Sequence, residues 1–399
     1  MEIKELKASV VKEVEAHRNQ LGELSLKIHS NPETAFQEVK AADWLTQFLA
    51  AESFSIEQGI GQLSTAFKAS YGRGKPVIAI LAEYDALPKL GHACGHNLIS
   101  GAAVGAAAAA KLAVDQLGGT ILAIGTPGEE LYGGKAIMAE RGAFDDIDAV
   151  MEIHPGVLDT ATTEALACQT LDVEFSGKAA HAAAHPEQGI NALEAMLQSF
   201  AAINSLRQHI RSSARIHGII TDGGEAANIV PAHSAGNFIV RAMEDDYLDE
   251  LKERVLNCFI GAATASGARL QYKWGVRYAT LLNNLTLAKL FKGNMESLGR
   301  RIFLENPTHS FGSTDVGNVS QLVPTIHPFI SIAEKEVIGH SSEFALAAAS
   351  ERGLEGMFDA AKAMAMTVAD LLAHPETLAR AKEEFQNPPQ TSFPTADNA

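Results

Sequence analysis

The stretch 81–97 (LAEYDALPKLGHACGHN) sets two acids, a thiol and two imidazoles just beyond an apolar run. Cys94 and His96 are separated only by Gly95, so one loop can turn both side chains onto a single ion, and thiolate with imidazole suits zinc or a similar borderline metal. Three further segments carry donors of the same kind. Glu129 and Glu130 follow Thr126-Pro127-Gly128, His154 precedes Pro155, and His340 lies between Gly339 and Ser341. Taken singly, each reads better as a solvated acidic turn or a loop histidine. Their joint placement points to chemistry: each follows a stretch that reads as a strand, and open α/β sheets collect ligands beyond the carboxyl ends of their strands.

Cys94, His96, Glu130, His154 and His340 are five donors, more than one tetrahedral ion takes, so the set predicts two divalent ions (zinc, manganese or cobalt) sharing a bridging ligand. Glu129 is then free to act as general base. Of two adjacent carboxylates, one can be pinned by metal while the other, partly desolvated, titrates near the working pH. Asp85 is assigned to orient a ligating imidazole through its other ring nitrogen.

The elements that must hold these residues read as α/β. Residues 77–82 form a continuous apolar run rich in β-branched side chains, as a strand buried on both faces does, and 120–125 and 149–153 repeat the pattern. Helices are expected at 98–117, with Asn97 as N-cap and Gly118-Gly119 as the stop, and at 134–141, so 75–154 reads as a βαβαβ succession with a largely parallel sheet. Before it, helical spacing covers 3–30 and 41–51, with a strand at 64–70. After residue 282 come a strand at 327–332 and a long helical stretch at 342–374, capped by Ser341 or Ser342. The last dozen residues, proline-bearing and polar, are expected to be poorly ordered.

Between these parts, 171–176, 191–210, 215–221, 234–241, 246–264 and 268–274 follow the βαββαβ order of a ferredoxin-like module. The chain therefore divides into a catalytic domain (1–170 and 282–399) interrupted by an inserted module (171–281). The module's outer strand can pair with its symmetry mate, which predicts a homodimer.

Composition narrows the partners. With 399 residues, 46% apolar and 20% charged, the chain is that of a globular protein. Forty-eight acidic against 32 basic residues, a net charge of −16, argue against nucleic acid and are compatible with small neutral or cationic ligands. Three scattered cysteines give no disulfide framework, and no signal peptide or uninterrupted membrane span is evident, so a cytoplasmic location is expected.

The motifs at 81–88, 91–97, 125–130 and 312–315 (Gly-Ser-Thr-Asp) together resemble those of the M20 metallopeptidases and amidohydrolases, over nearly the whole chain. The resemblance implies a zinc-peptidase-like three-layer catalytic domain with an inserted ferredoxin-like α+β lid and dimerisation domain. It also implies a binuclear centre and hydrolysis of an amide next to a free carboxylate. By position, Cys94, His96, Glu130, His154 and His340 match its ligands and Glu129 its base. It alone singles out three residues of the module: His181, in Gly177-Lys178-Ala179-Ala180-His181, as an oxyanion donor reaching a neighbouring subunit's site, and Asn228 and Arg241 as holders of the substrate backbone and carboxylate. Asn97 and Thr314-Asp315 look more like the branch of dipeptidases related to M20 domain-containing protein 2 and of aminobenzoyl-glutamate hydrolases. Dipeptides ending in Lys, Orn or Arg are the expected substrates. N-acyl or N-aroyl amino acids are the alternative, and a non-catalytic metal-binding scaffold is a third.

Overall fold

The computed structural model describes residues 2–307 and 312–387; the last dozen residues lie outside these. Two compact units divide the chain at Glu164/Ala165 and Thr280/Leu281.

In the first unit, the helical pattern over 3–30 becomes two helices, α1 (Ile3–Ala16) and α2 (Arg18–His29). The break falls at His17, whose ring bonds Glu13 O and Glu52 Oε1, both at 3.0 Å. α3 (Val39–Ala51) is followed by β1 (Ser55–Gln58), a largely exposed edge strand whose lack of apolar alternation hides it from sequence, and by β2 (Phe67–Arg73). β3 (Val77–Ala82) occupies the first apolar run. α4 (His96–Leu117) begins earlier than expected, and Gly95 at φ 82° is its N-cap. Asn97 instead lies buried in its first turn, donating to Ser25 Oγ and Ala348 O at 2.9 Å each. Then come β4 (Gly119–Gly125), the one-turn α5 (Glu129–Tyr132), α6 (Gly134–Glu140), β5 (Ala149–Met151) and β6 (His154–Gly156).

The second unit comprises β7 (Ala167–Ser176), α7 (Ala192–Leu206), β8 (Arg215–Asp222), β9 (His233–Ala242), α8 (Asp245–Ser266) and β10 (Arg269–Tyr278). Its sheet runs β10-β7-β9-β8, antiparallel throughout, which is the strand order of a ferredoxin-like module. Alternate residues of β9 are buried, Phe238 and Val240 among them. With Phe175 they meet Met196 and Ile203 of α7 and Leu251, Val255 and Phe259 of α8 in one core.

The chain then completes the first unit with α9 (Leu285–Ser297), α10 (Val316–Ser320), β11 (Thr325–Ile326), β12 (Phe329–Ser331), α11 (Ser342–Ala347), α12 (Glu351–Ala373) and α13 (Pro375–Gln386). Two expectations change here. The strand at 327–332 is split at His327-Pro328, so that β11 pairs with β5 and β12 leaves to pair with β6. The helix over 342–374 breaks at 348–350, where Ser350 caps α12 by accepting from Gly353 N. Pro375 opens α13, a position where its missing N–H costs nothing.

The main sheet is β1-β2-β4-β3-β5-β11, with β4, β3, β5 and β11 parallel and β1 and β2 antiparallel. α4 packs on it and against α12, α1 and α2. By length and apolar composition α4 could cross a bilayer, contrary to the sequence expectation, but 89% of its apolar window is buried within the fold. All three cysteines are free thiols.

Candidate metal centre

The parallel strands deliver the donors. β3 ends at Ala82 and Glu83 and Asp85 follow; β4 ends at Gly125 and leads to Glu129 and Glu130; His154 starts β6 just beyond β5. Thr126 N–H donates to Ala82 O at 2.8 Å and keeps the first two strand ends level. Two glycines let the loops close. A Cβ at Gly95 would stand 2.8 Å from Pro155, and one at Gly128 (φ 75°) 2.8 Å from the Phe36 ring. His340 is brought in by its own N–H, which donates to Ala93 O at 3.0 Å, and by Ser341, which caps α11. Its φ of 62° is unusual for a residue with a Cβ, so backbone strain sits at a donor.

Around one point lie three overlapping groups, Cys94–His96–His154, Cys94–Glu130–His340 and His96–Glu129–Glu130; within each, one donor atom per residue lies within 4.8 Å of the others. Cys94 Sγ is 3.3 Å from His154 Nε2, and Glu130 Oε1 is 3.4 Å from His340 Nε2 and 3.8 Å from His96 Nε2. Asp85 bonds two of the donor residues at once: Oδ1 is 3.1 Å from His96 Nδ1, and Oδ2 accepts the Glu130 backbone N–H at 3.1 Å. Behind it, buried Glu38 accepts from Thr65 Oγ1 at 3.1 Å. Burial, then the Asp85 charge, push Glu38 up to about 7.

The electrostatics fit a bound cation. Burial first, then Glu83, Glu130 and Asp315, hold Glu129 well above the carboxylate range; burial likewise raises Glu130. The Cys94 thiol is raised by burial and by Glu130. His154 is lowered to about 4 by burial, whereas at His96 burial is outweighed by Glu83, Cys94 and Asp85, which raise it. His96 Nε2 and Glu130 Oε1 are buried without a hydrogen-bond partner. Atoms so placed are costly unless something compensates them, and a divalent ion would. The donor set, thiolate and imidazole with carboxylate, therefore fits the metal that the sequence implies.

Several residues of this centre escaped the sequence reading. Lys135, wholly buried, lies among Glu83, Glu152 and Asp315, and His327 Nδ1 is 3.1 Å from Glu152 O. A signal was present for one: Glu152 is an acid inside the apolar run 149–153. Lys135, in a short stretch next to Gly133-Gly134, looks like an ordinary solvated lysine.

His181, Asn228 and Arg241 belong to the second unit. His181 and Asn228 are exposed and neighbouring: Ala182 N–H donates to Asn228 O at 3.0 Å, and the His181 Nδ1 accepts from the N–H groups of Ala183 and Ala184 at 3.3 and 3.2 Å. That fixes the tautomer and leaves Nε2–H to donate. Arg241 stands at the other end of β9, roughly 26 Å of strand beyond His233, where it donates to His217 Nε2 at 3.3 Å. Within one copy of this unit, Asn228 and Arg241 are not brought together.

Residues 79–365 match the family described as Peptidase family M20/M25/M40. The chain is 35% identical to a Xaa-Arg dipeptidase of Mus musculus, over 96% of this chain and 93% of the relative. It is 30% identical to a polypeptide of the p-aminobenzoyl-glutamate hydrolase of Escherichia coli (strain K12), over 94% of this chain and 93% of that one. Its fold is similar to that of a dinuclear metal-binding peptidase of the M20 family from Bacillus subtilis, with a TM-score of 0.68 at 22% identity, covering 90% of this chain and 99% of that one.

Proposed function

The chain belongs to peptidase family M20/M25/M40 and is a hydrolase acting on amide bonds, and from that premise we propose a metal-dependent dipeptidase for small dipeptides with a basic C-terminal residue. One observation carries the metal dependence: six side chains from four separate segments bring donor atoms together, beside buried atoms without a hydrogen-bond partner.

In this reading Cys94, His96, Glu130, His154 and His340 hold two divalent ions, zinc, manganese or cobalt. When bound, the ions polarise the amide carbonyl and make a water acidic enough to attack at neutral pH. Glu129 is placed to take a proton from the attacking water and return it to the leaving amine; burial, and then the carboxylates around it, raise its pKa, the direction such a base needs. Asp85 holds His96 in one tautomer and fixes the Glu130 backbone, so ligand and base keep their separate tasks. The second unit acts as lid and dimerisation domain. Its His181 donates to the oxyanion of a neighbouring subunit's substrate, with Asn228 beside it holding the substrate backbone. Arg241, at the far end of β9, pairs with the substrate carboxylate as a contribution from a different copy than Asn228.

The likeness to a Xaa-Arg dipeptidase supports the basic C-terminal residue, and the net charge of −16 is compatible with a cationic substrate. The decisive experiment assays release of free amino acids from a library of dipeptides and N-acyl amino acids, with manganese, zinc or cobalt added. Turnover confined to Xaa-Lys, Xaa-Orn and Xaa-Arg is expected. Preference for aminobenzoyl-glutamate would move the protein to the second relative's activity, and inertness of the metal-replete protein would reject both.

A further inference from the structure

Beneath the donors lies a fourth group, Glu83–Glu129–Asp315, whose donor atoms also fall within 4.8 Å of one another. It differs from the other three in having a cation already supplied by the chain. Lys135 is wholly buried; its Nζ donates to Glu83 Oε1 and, at 2.8 Å, to Asp315 Oδ1, with Glu152 Oε2 at 3.8 Å. Its backbone N–H donates to the second oxygen of the same aspartate, Asp315 Oδ2, also at 2.8 Å. Asp315 is thus gripped at both oxygens by one residue, and Glu83 is shared, one oxygen on Lys135 and the other 3.3 Å from His96 Nε2. The backbone is built for this approach. A Cβ at Gly134 would lie 1.7 Å from Pro127 O, so only glycine lets α6 run close under the turn that carries Glu129 and Glu130.

We propose that Lys135 is a positioning residue, a cation built into the protein that closes the Glu83–Glu129–Asp315 group to metal and fixes Glu83 and Asp315 beneath the metal donors. The inference rests on the metal-dependent reading above. An ammonium in contact with two of the three carboxylates takes the space a third ion would need and repels a divalent charge at short range. It also anchors Glu83 through Oε1, the oxygen turned away from His96, so that Oε2 stays 3.3 Å from His96 Nε2 while Asp85 holds the ring at Nδ1. A lysine suits the place: its compact point charge on an unbranched stem can serve several carboxylates at once.

The test replaces the charge and keeps the stem. Wild type, Lys135→Met and the double variant Lys135→Met/Asp315→Asn are loaded with Mn²⁺ and desalted; bound metal is counted by elemental analysis, and the Mn²⁺ spectrum is recorded by electron paramagnetic resonance. Wild type should hold two ions. Lys135→Met should hold one more, with an altered spectrum, and the double variant, which also loses a carboxylate, should return to two. Both variants should show kcat lowered at least tenfold with KM within threefold, because Glu83 is no longer anchored. A Lys135→Met protein with two ions, an unchanged spectrum and wild-type kcat would overturn the proposal and leave the two-ion reading standing. Absence of metal from wild type would instead defeat the reading on which it rests. If Lys135→Met does not fold, the double variant decides alone: unchanged kcat overturns the proposal, and a tenfold loss at two bound ions supports it.

Discussion

The polar residues assigned to the two units live under opposite conditions. In the first unit, His96, Glu83, Asp85, Lys135 and Asp315 are buried, and His96 Nε2 and Glu130 Oε1 lack any hydrogen-bond partner. In the second, His181 and Asn228 are exposed, and the backbone satisfies one nitrogen of the His181 ring. Burying polar atoms without partners costs roughly 1–3 kcal/mol each, so a fold that does so advertises a ligand. An exposed histidine costs nothing and advertises nothing. The first unit thus states its chemistry by geometry, whereas the second unit's part rests on family resemblance.

Removing metal should give the largest contrast. Dialysis against a chelator is expected to abolish activity and, if the ions are bound at a thousandfold excess over Kd, to withdraw about 4 kcal/mol of stability, seen as a lower melting temperature that Mn²⁺ or Zn²⁺ restores. A melting curve indifferent to the chelator would mean that the orphaned atoms do not report a ligand. Next in size is Glu129→Gln, expected to keep its metal while kcat falls roughly 10²–10⁴-fold. Glu130→Gln should lose metal instead, and the reverse pattern would exchange their roles.

His181→Ala probes the other side of the contrast. An oxyanion donor lost should lower kcat roughly 10²–10³-fold with metal content intact, and mixing with Glu129→Gln in a verified heterodimer should restore activity at one site in two. A kcat within twofold of wild type would leave the exposed group idle. The smallest effect is on stability. Glu38 has its folded pKa raised from 4.5 to about 7, first by burial, so its favourable contribution is complete below pH 4.5 and is lost as pH rises through 7. Glu38→Gln should accordingly stabilise the protein more at pH 8.5 than at pH 5, by up to about 3 kcal/mol. Chemical denaturation at the two pH values measures the difference; equal stabilisation would show that Glu38 titrates normally.

Strand ends proved the most legible feature, because β3 and β4 are buried on both faces and announce themselves as unbroken apolar runs. The ferredoxin-like order was legible from alternating periods of two and 3.6. What escaped has physical reasons. β1 is an exposed edge with no apolar alternation, and Asn97 lies buried in the first turn of α4 rather than capping it. Candidate donors could be found because spacing brings Cys94 to His96 and each follows a strand. Lys135 could not: its significance depends on Glu83, Glu152 and Asp315 converging from three other segments, and no local pattern distinguishes a buried lysine from a solvated one.

α4 gives the centre a mechanical property. His96 is its first residue, and the helix is packed without slack: a Cβ at Gly101 would meet Met357 Sδ at 2.4 Å, and one at Gly105 would meet Leu21 Cδ1 at 2.7 Å. A methyl added at Gly105, roughly 14 Å from His96 along the axis, must turn Leu21 aside or shift the rod sideways, and a stiff rod carries part of such a shift to its first residue. Metal affinity is then a gauge of packing deep in the core, and substitutions with no path to solvent should change how tightly this protein holds its ions.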